Sequence, residues 1–63
     1  MKPLSDIPNW HGFQLIGITK TGEEIPAFVR RGSDGLHRVC DSKTGEMIFG
    51  RLVGWRKRTK ADA

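Results

Sequence analysis

The sequence predicts an all-β fold, a small four-stranded antiparallel meander that curls into a half-barrel. Two observations support this prediction. The tetrapeptide Lys-Thr-Gly-Glu occurs at residues 20–23 and again at residues 43–46, each time between β-prone residues. A Gly/Ser/Asp cluster at residues 32–35 supplies a third turn signal between them. No segment shows helical periodicity, so three turns are expected to connect four strands.

The repeated tetrapeptides are typical of three-residue hairpin loops. In such a loop a type I turn is closed by a residue in the left-handed region, where glycine has no steric penalty. Gly22 and Gly45 occupy this position. The turns and the β-prone runs between them predict strands at residues 13–19, 23–31, 36–42 and 46–56.

The chain divides into three parts around this β domain of residues 13–56. Residues 1–12 contain two prolines and a glycine, which predicts an irregular N-terminal arm. From this arm Ile7 and Trp10 are available to pack on the sheet. Residues 57–63 are predicted to form a flexible basic tail.

The lengths of the turns predict the strand register. Three-residue loops pair Leu15 with Ala27, and Cys40 with Ile48. A four-residue middle loop pairs Ala27 with Cys40. Both faces of this sheet are then apolar near the middle. We expect the glycines to favour curvature around one face as the core, so the second face, which carries Ile16 and Phe28, needs a cover.

The length and composition of the chain predict one small domain that needs a partner for stability. A chain of 63 residues buries only about 60% of its unfolded surface, and Cys40 has no second cysteine to form a disulfide. We therefore expect a homodimer that forms through the second face. The chain lacks the roughly 18-residue apolar run of a membrane span, and its start lacks a signal-peptide core. A cytoplasmic location is the expectation.

The formal net charge of +4 lies entirely in the last thirteen residues. The first fifty residues carry six basic and six acidic side chains, whereas residues 51–60 carry five basic side chains and no acid. A cationic segment around a tryptophan suits a nucleic acid, because cations contact phosphates and an indole stacks on a base. The predicted nucleic-acid interface consists of Arg51, Trp55, Arg56, Lys57, Arg58 and Lys60.

An acidic protein partner is the alternative to a nucleic acid. Four apolar side chains of the second face are the predicted protein interface, namely Phe28, Val39, Phe49 and Val53. The predicted pairing also places Arg30 opposite His37 on the same face, where the two side chains are candidates for binding an anion.

Catalytic and metal chemistry find little support in the sequence. His37 and Cys40 have a metal-like spacing, but positions three apart on a strand point to opposite faces. The glutamates lie at or beside turn tips, where they are solvated, and nothing in the sequence predicts the raised pKa that acid–base catalysis would need. We therefore expect a non-catalytic binding module with no metal, cofactor or small-molecule substrate.

Two general resemblances accompany these predictions. In size and strand order the chain resembles the curled sheets of SH3-like barrels, which implies a general plan and assigns no residue a role. In its brevity and basic ending it is similar to accessory proteins encoded by phages and other mobile elements. Such proteins commonly bind host proteins or nucleic acid.

Overall fold

A computed structural model describes residues 1–62 and forms a four-stranded antiparallel sheet that is not closed into a barrel. The predicted all-β class is confirmed. No helix within residues 1–62 has both the length and the apolar character needed to cross a bilayer. The strands are β1 (Gln14–Thr19), β2 (Glu24–Arg31), β3 (His37–Asp41) and β4 (Leu52–Lys57). The short 3-10 helices are η1 (Leu4–Asp6), η2 (Phe49–Arg51) and η3 (Lys60–Asp62).

The hairpin between β1 and β2 has the predicted register. Leu15 lies opposite Ala27. Gly22 closes the turn with a φ of +88°, and Gly45 has a φ of +78° in the later hairpin. Both repeated tetrapeptides therefore form turns in which glycine adopts the left-handed conformation, as predicted.

The loop between β2 and β3 is one residue longer than predicted. Arg31 pairs with His37 and not with Leu36. The Asp34 carboxylate accepts a hydrogen bond from Leu36 N–H at 3.0 Å, which holds Leu36 within the turn. A register change of one residue moves every side chain of a strand to the opposite face.

The faces of β3 are therefore the reverse of the prediction. Val39 lies opposite Val29 on the core face, and Cys40 lies opposite Phe28 on the second face. The loop after β3 has four residues and not the predicted three, so Cys40 bridges to Met47 and not to Ile48. The two one-residue shifts cancel at Ile48, which is 2% exposed and lies in the core, on the face predicted for it.

The fourth strand pairs with β1 and not with β3, which gives the strand order β3-β2-β1-β4. Residues 46–48 stay beside β3, and the chain then passes through η2 to β4, at the other edge of the sheet. Trp55 lies opposite Gly17, and Leu52 lies opposite Thr19. This path buries both side chains among core residues contributed by other strands. A turn motif specifies only the two strands that it joins, so the prediction of a simple meander missed this crossing.

The core lies on the face of the sheet that carries Leu15 and Val29, and the N-terminal arm covers part of it. Leu4, Ile7 and Phe13 pack against the buried cluster. The Trp55 indole N–H donates to the Pro3 carbonyl oxygen at 2.9 Å. Trp10 packs edge-on against Phe13 but remains 67% exposed, so it contributes less to the core than predicted. The buried cluster consists of Leu15, Ile25, Ala27, Val29, Val39, Ile48, Leu52 and Trp55.

The second face is covered by the C-terminal residues of the same chain. Ile16 is 2% exposed and Cys40 is fully buried there. The Arg58 guanidinium donates to the carbonyl oxygen of Ala27 at 2.9 Å and to Ser42 Oγ at 2.9 Å. Residues 58–62 thus lie against the sheet, in contrast to the solvated tail predicted for residues 57–63. Ala63 falls outside the described residues.

Candidate functional site

An apolar groove of about 280 Å³ opens between the N-terminal arm and the outer edge of β3. The arm forms one wall, β3 and the start of η2 form the other, and the floor includes the core side chain of Val29. The lining residues are Leu4, Ile7, Pro8, Asn9, Val29, His37, Arg38, Val39, Met47 and Phe49.

The wall formed by residues 47–49 is apolar and faces solvent. Met47 is 64% exposed and Phe49 is 49% exposed. The chain leaves β3 at this point because η2 begins, with Arg51 N–H donating to the Ile48 carbonyl oxygen at 2.9 Å. Ile48 enters the core while its two neighbours remain outside. The groove therefore offers apolar surface that a partner can bury.

The charge beside the groove depends on the face to which each arginine belongs. The register places Arg31 and His37 on the face of Val29 and Val39, whereas Arg30 lies on the opposite face. None of the described ion pairs involves Arg31. This guanidinium is therefore available to an incoming carboxylate.

Arg38, at the edge of the groove, already has an internal partner. Its Nη2 lies 2.6 Å from Asp34 Oδ2. The hydrogen bonds from Arg38 and from Leu36 N–H hold the pKa of Asp34 well below its usual range. The pair fixes the loop that determines the register of β3, so the role of Arg38 is structural.

The four residues of the predicted protein interface do not form one patch. Phe49 lines the groove, Val39 lies in the core at 4% exposure, and Phe28 belongs to the second face with Cys40. Val53 is exposed on β4, on the far side of β1 from β3. The shifted register of β3 and the crossing of β4 together separate them.

The predicted nucleic-acid interface is also divided. Trp55 is 2% exposed, so its ring is not accessible for stacking on a base. Arg56 is held between two carboxylates, at 2.9 Å from Glu24 and 2.9 Å from Asp62. These hydrogen bonds raise the pKa of Arg56, first through Asp62, and lower the pKa values of Glu24 and Asp62.

The remaining cations of that interface are spread along β4 and the C-terminal residues. Arg51 precedes β4 and lies 3.7 Å from Glu23, whereas Lys57 ends the strand. Arg58 is used across the second face. Only Arg51, Lys57 and Lys60 present exposed cationic side chains from the predicted set.

The predicted anion pair is not formed either. Arg30 lies opposite Arg38, and His37 lies opposite Arg31. Arg30 and His37 therefore belong to different faces because of the longer middle loop. Within the part of the chain that the structure describes, no three His, Cys, Asp or Glu residues cluster as metal ligands.

Met47, which lines the groove, and Arg31, which lies opposite the groove residue His37, were not predicted to bind a partner. The run of three apolar residues at 47–49 is the signal that could have found Met47, because a strand exposed on one face rarely carries such a run. The position of Arg31 depends on the middle-loop length. Comparisons with protein-family models, curated proteins and solved structures find no match for the chain. The geometry alone carries the functional argument.

Proposed function

We propose that the chain is a non-catalytic protein-binding module that takes apolar side chains of a partner into the groove between the N-terminal arm and β3. The exposed wall of Met47 and Phe49 above the core residues Val29 and Val39 carries this proposal. A preformed apolar groove with a few polar groups at its edge suits recognition of side chains.

The energetic case depends on the surface that remains exposed in the free protein. Full burial of a phenylalanine side chain stabilises a complex by about 1.5–3 kcal/mol, and Phe49 still exposes about half of its surface. Burying the rest contributes roughly 1 kcal/mol, and Met47 adds a similar amount. These contributions make Phe49 and Met47 the expected anchors, together with the groove floor.

Selection from a displayed library of random peptides tests this proposal. Peptides enriched on the wild-type chain should bind the variant Phe49→Ala at least several-fold more weakly. They should bind Val53→Ala normally, because Val53 is similarly exposed, at 47%, but lies on β4 away from the groove. Enrichment that is equal on all three proteins, or no enrichment at all, would contradict a binding role for the groove.

Nucleic-acid binding is a second candidate, and the net charge of +4 favours it. If the exposed Arg51, Lys57 and Lys60 neutralise three phosphates, log K should fall with log salt at a slope of about −2.7 on a duplex. Five phosphates would give about −4.5. Fluorescence anisotropy with mixed-sequence DNA and RNA measures the slope, and no binding at low salt removes this candidate.

A further inference from the structure

We infer that the groove takes an extended, acidic segment of a partner protein, which adds as a short strand to the free edge of β3 and places a carboxylate beside Arg31. This inference rests on the proposed protein-binding function and specifies the chemistry of the partner. Three features of the described residues carry it: the backbone at the end of β3, the position of the groove beside this edge, and the charge of Arg31.

The first feature is the direction of the backbone groups of β3. Gly32 N–H donates to the Leu36 carbonyl oxygen at 2.8 Å, and Ser42 N–H donates to the Pro26 carbonyl oxygen at 3.0 Å. Residues with even numbers therefore form the hydrogen-bonded pairs between β2 and β3. The N–H and C=O groups of His37 consequently point away from β2, toward the outer edge.

The outer edge of β3 is covered only over part of its length. Asp41 N–H donates to the Glu46 carbonyl oxygen at 2.8 Å, and Ile48 N–H donates to the Val39 carbonyl oxygen at 3.0 Å. A residue that continued this pairing would lie beside His37. The chain does not supply one, because it turns into η2 at Phe49. An extended segment can therefore continue the ladder from there, which is the geometry of β-strand addition.

The second feature is the position of the groove beside this edge. Side chains of an added strand alternate between two directions, so every second residue can point into the groove. Apolar side chains at those positions would contact Met47 and Phe49 on one wall and Leu4 and Ile7 on the other. The residues between them would face solvent and can be charged.

The third feature is charge. Arg31 lies on the groove face and has no carboxylate partner among the described ion pairs. The acids of the neighbouring elements are Asp34, which is paired with Arg38, and Asp6 in η1. An unpaired guanidinium on the groove face attracts an acidic segment and repels a basic one.

A fluorescein-labelled peptide in which Glu alternates with Val and Leu is the probe for this inference. Its affinity for the full chain is measured by fluorescence anisotropy at fixed salt. The first comparison peptide has Lys in place of every Glu. The second keeps the acidic sequence but carries N-methyl groups on alternate residues, which removes the N–H donors that ladder pairing requires. The acidic unmodified peptide should bind on the order of tenfold more tightly than either.

Matched variants of the protein show whether the position of a charge matters or only the net charge of the chain. Arg31→Glu and Arg30→Glu change the net charge equally, but only Arg31 is on the groove face. Arg31→Glu should weaken binding of the acidic peptide on the order of tenfold, and Arg30→Glu should have a smaller effect. Phe49→Ala should also weaken binding, with Val53→Ala as its control. Trp55 fluorescence verifies that each variant is folded.

The outcomes distinguish this inference from the proposed function. Equal binding of the Glu and Lys peptides, with loss of both in Phe49→Ala, overturns the acidic partner but leaves the groove as a peptide site. Full binding of the N-methylated peptide overturns strand addition. If no peptide binds and library selection also finds none, the proposed function itself fails.

Discussion

The Arg58 guanidinium donates a hydrogen bond to the Ala27 carbonyl oxygen at 2.9 Å, which connects the C-terminal residues to the middle of β2. The same Nη2 lies 2.9 Å from Ser42 Oγ and 3.4 Å from the Leu15 carbonyl oxygen. One basic side chain thus bridges β1, β2 and the loop after β3. The side chain predicted to contact phosphates serves here to hold the C-terminal residues on the second face.

We expect the substitution Arg58→Ala to lower the free energy of unfolding by about 1–3 kcal/mol, because it removes hydrogen bonds from a charged donor and uncovers the second face. Urea denaturation measures the change. Arg58→Lys keeps the charge but lacks the planar fork, so it should recover only part of the stability. Lys60→Ala, at an exposed position, is the control. Equal stability of all four proteins would show that the contact contributes nothing.

Removal of residues 58–63 should expose Ile16 and Cys40 and drive the chain to self-associate. Sedimentation equilibrium should show a larger average mass for the shortened chain than for the full chain at the same concentration. An identical mass would contradict the assignment of these residues as the cover of the second face. A stable dimer of the full chain, in which residues 58–62 cover that face, would have to use a surface other than the predicted one.

The stability of the fold should decrease in acid because the Asp62 carboxylate is bound by Arg56 and by Thr59. These hydrogen bonds keep the pKa of Asp62 below its ordinary value in the folded state. The stabilisation that the Asp62 carboxylate provides is therefore complete above the pKa of an aspartate in the unfolded chain, about 3.9. It is lost as the pH falls through the lower pKa of Asp62 in the folded chain.

Urea midpoints measured between neutral pH and about pH 2 test the role of Asp62. Asp62→Asn should be less stable than wild type at neutral pH and should lose less stability on acidification. Asp6→Asn replaces a carboxylate outside the described ion pairs and should keep the wild-type profile. A wild-type slope in Asp62→Asn would mean that other carboxylates cause the acid sensitivity.

The two tryptophans should report opposite environments. Trp55 is 2% exposed, whereas Trp10 is 67% exposed. Trp10→Phe, which leaves only Trp55, should emit at shorter wavelength and resist acrylamide quenching. Trp55→Phe should show the reverse. Strong quenching of Trp55 in the folded chain would contradict its burial and restore it as a base-stacking candidate.

Two glycines provide a test of the core at the crossing of β4. A Cβ atom at Gly17 would lie 2.8 Å from the Leu52 methyl groups, whereas a Cβ at Gly50 meets nothing within 4 Å. Gly17→Ala should therefore destabilise the fold by about 1–3 kcal/mol through overpacking. Gly50→Ala should change the unfolding free energy far less. Similar urea midpoints for the two variants would contradict the close approach of β4 to β1.

Much of the fold was predictable because turn chemistry is local. The left-handed glycines at residues 22 and 45 and the pairing of Leu15 with Ala27 follow from a few neighbouring residues. The register of β3 was missed because it depends on the conformation of the middle loop, where Asp34 accepts from Leu36 N–H and pairs with Arg38. Because this loop is one residue longer than predicted, the faces of β3 are reversed and the residues of the predicted interface are separated.

The candidate site was less predictable than the fold. Phe49 was recognised as a contact residue, but the groove also requires the N-terminal arm, whose position depends on Trp55 and the Pro3 carbonyl group. The basic segment was recognised as unusual, but its composition does not reveal which cations have internal partners. Arg56 and Arg58 donate hydrogen bonds to residues that are distant along the chain, Arg56 to Glu24 and Arg58 to Ala27.

The sequence by itself determined the first three strands, the glycine-closed turns and the excess of positive charge near the C-terminus, because these depend on local conformational preference and on composition. The fourth strand, predicted at residues 46–56, is interrupted by η2 and begins only at Leu52. Only the tertiary structure decided that β4 lies beside β1, that Trp55 is buried and that Arg58 covers the second face. Those outcomes depend on which apolar surfaces can be buried against one another, and this burial joins residues that are distant along the chain.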